Sequence, residues 1–244
     1  MNLPQPLEEG IFVRRLNRFA AEVRVGRCTW CVHVANTGRL GELLAEGAQV
    51  YVHPVAGGGR ATSGDLLLVR YGRSLVSVDS RAPAAVAAEA FLNQAVPPLR
   101  AADEVVREVP FGRGRIDLGV RTGDEEWLVE VKGCTLVRNG VAIFPDAPTA
   151  RGRRHVQELA ALAAQGGRAM VLFVIQRADA RRFRANHETD PAFAGALAEA
   201  SAAGVVIKAH TCRVTSRRVT LGDGVPVMLD AAARHDGARE RPCG

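Results

Sequence analysis

The chain has 244 residues and a mass of 26.0 kDa, and 47% of its residues are apolar, enough to bury a core in one large domain or two small ones. That excludes a disordered chain, and no run of about eighteen uncharged apolar residues is present to span a membrane. Thirty-two basic against 26 acidic residues give a net charge of +6, an excess that attracts polyanions without identifying one. Residues 1–10 lack the basic start and apolar stretch of a secretion signal, so the expected compartment is the cytoplasm, with no membrane partner.

In chain order, short alternating stretches near 12–13, 19–25, 29–34, 50–55, 66–71 and 75–78, punctuated by glycines, predict a small barrel of about five strands over residues 1–80. An alanine-rich helix follows over 84–96, with Pro83 in its first turn, Val86, Leu92 and Val96 as its apolar positions, and Pro97 and Pro98 ending it. The second half reads as an α/β domain over 81–230. Its predicted strands are 104–109, 115–121, 126–132, 136–144, 169–175 and 205–214, with helices over 149–165 and 191–203. Residues 231–244 read as a flexible tail.

Only Lys132 and Lys208 are lysines; the other basic residues are arginines. A lysine that survives in such a chain marks a site where a compact, titratable ammonium differs from a guanidinium. The five cysteines form no framework, and Cys28 and Cys31, spaced like metal ligands, fall on opposite faces of a strand without partners to complete a zinc shell.

The chemistry gathers in a hairpin. With Gly123-Asp124 as a two-residue turn, Val120 faces Trp127, Leu118 faces Val129 and Ile116 faces Val131, all apolar and on one side. On the other side Asp117 lies opposite Glu130, and Lys132 follows two residues along. Two opposed carboxylates repel unless a cation or proton sits between them, and a hard divalent ion such as Mg2+, or Mn2+ in its place, resolves the repulsion while keeping waters for a phosphate substrate. The lysine beside it can orient or deprotonate an attacking water, the division of labour of phosphodiester hydrolysis. The same alternation also fits a solvated surface ladder with an ordinary ion pair.

Gly112, Asp117, Glu130 and Lys132 resemble the G…D…ExK core of PD-(D/E)XK nucleases. More specifically, residues 12–19 (FVRRLNRF), 35–40 (ANTGRL), 130–136 (EVKGCTL) and 144–152 (FPDAPTARG) resemble the sugar fermentation stimulation protein A (SfsA) family, with the likeness running from about 10 to 222. That resemblance implies an α/β (α+β) chain in which an OB-like small β-barrel is joined to a PD-(D/E)XK nuclease-like α/β domain. It also implies DNA binding and a link to sugar, particularly maltose, metabolism. Ala84 and Glu22 depart from the asparagine and aspartate expected there, leaving the carboxylate-lysine core untouched. The nuclease resemblance implies a further metal-side glutamate on the helix before the core strands, where Glu89 is the first candidate and Glu108, on the next strand, the competitor. Asp146 reads either as a contact to metal or substrate or as part of a helix entry capped by Thr149.

For nucleic acid, Arg14, Arg15 and Arg18 interleave with Phe12 and Phe19, and Asn36 to Arg39 reads as a polar loop able to hold a phosphate or as a tight turn. On the helix over 149–165 the apolar stripe is Val156, Leu159, Leu162 and Ala163. Arg151, Arg154, His155 and Glu158 share the other face, an anion site or a solvated arginine face, with His155 read as a surface residue. The leading function is therefore a DNA-binding protein, with RNA also open, that carries a Mg2+-dependent nuclease-type site. The alternative is a non-catalytic DNA-binding regulator of sugar (maltose) metabolism genes. Oligomeric state is left open, a homodimer included.

Overall fold

Apolar residues at every second position in the first eighty residues build six strands: β1 (Glu8–Asn17), β2 (Ala20–Val25), β3 (Cys28–His33), β4 (Gln49–Pro54), β5 (Gly64–Tyr71) and β6 (Ser74–Ser77). They are ordered β3-β2-β1-β4-β5-β6, and a parallel contact of β3 with β5 closes the sheet into a five-stranded barrel. Phe12, Val23, Val32, Val50, Leu66 and Val69 fill it. The structure is a computed structural model that describes residues 1–229 except 56–58, 60, 95 and 113; the tail expected at 231–244 lies outside them.

Helix α1 (Ala82–Asn93) follows, with proline in its first turn. Its buried stripe is Val86, Ala87, Ala90 and Phe91; Leu92, expected inside, faces solvent, because Phe91 rather than Leu92 continues the spacing from Ala87. The second domain is built on a sheet ordered β15-β14-β12-β9-β8-β7. Its strands are β7 (Glu104–Phe111), β8 (Gly114–Thr122), β9 (Glu125–Cys134), β12 (Arg168–Ile175), β14 (Val206–Val214) and β15 (Val219–Val225). The predicted strand over 136–144 is instead a small hairpin, β10 (Val137–Arg138) and β11 (Val141–Phe144), turned by Asn139 and Gly140 at positive φ. Two strands escaped the sequence reading besides β15: β13 (Arg182–Ala185), too short and arginine-rich to read as apolar, and β16 (Val227–Met228).

Two helices, α2 (Ala150–Ala164) and α3 (Pro191–Ala202), cover one face of this sheet and α1 the other. Strand β12 shows why its run of apolar residues does not alternate: Met170, Leu172 and Val174 join α1, while Val171, Phe173 and Ile175 join α2 and α3. Among the described residues no helix is long and apolar enough to cross a membrane.

The domains share a seam. Leu67 and Leu68 of the barrel pack into the α1 core, Gln176 Nε2 donates to Ser77 Oγ and to the Asp79 carbonyl at 3.2 and 3.0 Å, and the buried Arg177 guanidinium lies 4.6 Å from the Tyr71 ring centre. The first residues of the chain also belong to the far domain: the Leu3 amide donates to the Arg217 carbonyl at 2.8 Å and the Val219 amide to the Met1 carbonyl at 2.9 Å.

Candidate functional site

The hairpin register predicted from the turn is the one observed, with Val120 opposite Trp127 and Leu118 opposite Val129. Beyond that pair the ladder stops, so the expected ladder pairs Asp117–Glu130 and Ile116–Val131 are not formed, and Asp117 takes over: its Oδ2 accepts the Val131 amide at 2.7 Å in place of a backbone carbonyl. The two strands therefore part where the carboxylates stand. Burial, followed by the charge of Glu130, pushes the Asp117 carboxyl up to about 6.

Glu130 lies on the sheet face toward α2 and is 2% exposed. Its Oε1 accepts two hydrogen bonds of 2.5 Å, from Lys132 Nζ and from His155 Nδ1. Its Oε2 is buried without a hydrogen-bond partner among the described residues. Asp117, Glu130 and Lys132 thus converge as the register implied. His155 is a correction to the sequence reading: it is 3% exposed rather than at the surface. Helical spacing carried the signal, since Gly152, His155, Val156 and Leu159 fall at i, i+3, i+4 and i+7 and form the buried stripe of α2.

The two candidates for an additional carboxylate are separated by the sheet. Glu89 sits on α1, on the opposite face, where it pairs with the N-terminal amine at 2.5 Å and with Arg218. The structure does not bring it to the carboxylates. Glu108 is the one near Asp117, close enough that its charge adds to the rise of the Asp117 pKa. It holds φ 56°, rare for a non-glycine residue, between the pairs Arg107–Leu118 and Val109–Ile116, so β7 is kinked directly across from Asp117.

Asp146 goes elsewhere. Its Oδ2 accepts the Arg39 amide at 3.0 Å, and a Cβ on Gly38 would collide with the same oxygen, so the loop from Asn36 to Arg39 docks on the second domain only with glycine at 38. Thr149 caps α2 as expected, its Oγ1 accepting the Gly152 amide at 3.1 Å. Between the loop and α2 runs a cleft of about 260 Å³ lined by Thr37, Thr135, Asp146 and Thr149, with Gly133, the neighbour of Lys132, at its wall.

The predicted nucleic-acid contacts divide. Arg15 spends its guanidinium on the protein: Nη1 donates to the carbonyls of Gly38 and Arg39 and Nη2 to those of Arg18 and Asn36, at 2.6–3.2 Å. Asn36 is likewise structural, accepting the Gly38 amide and donating to the Val78 carbonyl. Arg14 is exposed but paired with Glu22 through two hydrogen bonds. Arg154 lies 3.7 Å from Glu158, whose carboxylate in turn faces Gly112. Arg18, Arg39 and Arg151 are exposed and make no side-chain hydrogen bond or ion pair among the described residues. Arg151 falls one turn before His155 on α2. Of the two phenylalanines, Phe12 is inside the barrel and Phe19 is 51% exposed beside Leu16.

Among the described residues no three His, Cys, Asp or Glu side chains converge in a metal-ligating cluster. What the site offers is a pair of carboxylates with one orphaned buried oxygen, a donor set suited to a hard cation that keeps several waters rather than to zinc. Cys28 and Cys31 are free thiols on β3, and burial pushes the thiols of Cys134 and Cys212 up to about 12, so they stay protonated.

Known proteins match both halves. Residues 13–78 match the SfsA N-terminal OB domain, and residues 81–218 match the sugar fermentation stimulation protein RE domain. The sugar fermentation stimulation protein homolog of Alkaliphilus metalliredigens is 44% identical over 90% of this chain and 95% of its own. That of Caldanaerobacter subterraneus subsp. tengcongensis is 41% identical over 94% and 100%. Pyrococcus furiosus SfsA, solved in complex with Ca2+, superposes with a TM-score of 0.85 at 31% identity, covering 93% of this chain and 98% of that one. With both domains matched in order over nearly its whole described length, the chain belongs to the SfsA family.

Proposed function

We propose that the protein binds DNA and hydrolyses phosphodiester bonds at a divalent-metal site formed by Asp117 and Glu130. The observation that carries this reading is the buried, partnerless Oε2 of Glu130 beside a second carboxylate, an arrangement whose desolvation cost a cation offsets. The Ca2+ of the Pyrococcus furiosus relative supports an oxygen-ligated cation here. Glu108, across from Asp117, is the candidate for a third carboxylate.

When bound, Mg2+ supplies Lewis-acid polarisation of the phosphate and an acidified water. The chain does the rest. Lys132, on the strand that carries Glu130, places its ammonium where it orients the attacking water and meets negative charge developing on the phosphate oxygens. Arg151 holds the backbone next to the reacting phosphate, while Arg18 and Arg39 hold it further along the barrel, with Phe19 as a stacking surface. Such contacts go to phosphates and not to base edges, so binding is weakly sequence-specific.

The test is incubation of highly purified protein with single- and double-stranded DNA and RNA, with Mg2+, with Mn2+ and with chelator. Cleavage that needs metal and is lost in Asp117→Ala and Glu130→Ala, while binding persists, is expected. Lys132→Arg keeps the charge but replaces a compact ammonium with a guanidinium that does not deprotonate, so it should lose most activity. Binding without cleavage under every metal would instead leave a regulator of sugar-metabolism genes.

A further inference from the structure

Glu130 is bound asymmetrically. Both of its hydrogen bonds fall on Oε1, from a flexible donor on its own strand, Lys132, and from a rigid one on another element, His155. The imidazole is held by its place in the buried stripe of α2, between Gly152 and Leu159, and Leu159 packs with Val171 and Phe173 in the core beneath. Because Glu130 faces Nδ1 at 2.5 Å, that nitrogen carries the proton and donates.

We propose that His155 is the positioning residue of the site: it fixes the rotation of the Glu130 carboxylate so that Oε2 is presented toward Asp117 and the cation. This rests on the metal-dependent reading above. A carboxylate held by Lys132 alone would be fixed only while the ammonium stayed on it, and the lysine could not serve a substrate without leaving a buried oxygen bare. With His155 as the second donor, Oε1 keeps a partner when Lys132 turns to water or phosphate. The histidine touches neither metal nor substrate; it acts through Glu130.

The experiment is titration of the full-length protein with Mn2+ alone, free ion being counted by electron paramagnetic resonance, for the parent, Glu130→Gln, His155→Leu, His155→Asn and His155→Gln. An outer-shell donor is worth roughly 10- to 100-fold in metal affinity. His155→Leu should therefore bind Mn2+ roughly ten-fold or more weakly. His155→Asn, whose amide N–H falls near the lost Nδ1, should stay within about three-fold of the parent, whereas His155→Gln, which places its amide near Nε2, should not. If the parent binds no Mn2+, or Glu130→Gln binds as well as the parent, the metal-site reading falls and this inference with it. If the parent binds, Glu130→Gln does not and His155→Leu matches the parent, the positioning role alone is overturned. Should His155→Leu fail to fold by circular dichroism, the asparagine and glutamine variants decide: equal affinities overturn the proposal.

Discussion

A single carboxyl shows how the site stores its tension. Asp117 ionises in solution near pH 4 but in the folded chain only at about 6, because burial and the neighbouring Glu130 disfavour its charge. A folded-state pKa raised above the unfolded one means that the folded state binds the proton more tightly. This contribution to stability is therefore present below about pH 4 and is lost as pH rises through about 6. Asp117→Asn still accepts the Val131 amide and does not titrate. The metal-free variant should be more stable than the parent at pH 7, on the order of 2 kcal/mol, with the gain vanishing toward pH 4. Urea denaturation across that range measures it; a pH-independent difference would show that the two carboxylates do not crowd each other.

At the scale of elements, the β1–β2 hairpin and the loop from Asn36 to Arg39 are one device, tied by Arg15. Its guanidinium donates to carbonyls of both, and the loop is pinned in turn to Asp146. Arginines that look alike in sequence should therefore fail differently. Arg15→Ala leaves several carbonyls without donors and should destabilise the fold by about 2–4 kcal/mol. Arg39→Ala touches no side-chain partner and should cost less than about 0.5 kcal/mol, but lower the dependence of DNA affinity on salt by about one phosphate contact. Denaturation midpoints and salt-titrated fluorescence anisotropy separate the two. Equal effects of both variants on both measurements would contradict the division. The same hairpin presents Phe19 and Leu16 to solvent on a frame that the clamp keeps rigid.

At the scale of the molecule the two domains are not independent beads. Leu67 and Leu68 fill the α1 core from the barrel side, Gln176 and Arg177 reach across the seam, and Met1 to Leu3 cross over to pair with Arg217 to Val219. The N-terminal amine even supplies the partner of Glu89. Contacts shared this widely couple the stabilities of the halves, so calorimetry should give one unfolding transition rather than two. Deleting residues 1–3 should lower its temperature, since Leu3 is buried and Glu89 loses one of its two cationic partners. Two resolved peaks in the parent would show that the seam is thermodynamically weak.

The sequence by itself determined what is local and periodic. The Gly123-Asp124 turn and period-two alternation were enough to set the β8–β9 register, and with it the meeting of Asp117, Glu130 and Lys132, because a hairpin's neighbours are fixed by counting. Thr149 and the spacing of Val156 and Leu159 likewise marked α2 and its buried side. Only the tertiary structure decided which of the chemically similar residues act together. Glu89 sits on a helix packed against one face of the sheet whereas Glu108 sits on an edge strand within it, and Arg15 and Arg39 differ by whether carbonyls come within reach. His155 meets Glu130 across 25 positions of sequence. Helical periodicity could place that imidazole in the buried stripe, but not say that a carboxylate waited beneath it, since that depends on how a whole helix docks on a sheet. Docking is set by the summed packing of Val156, Leu159, Val171 and Phe173, a property of the assembled core that no single segment encodes.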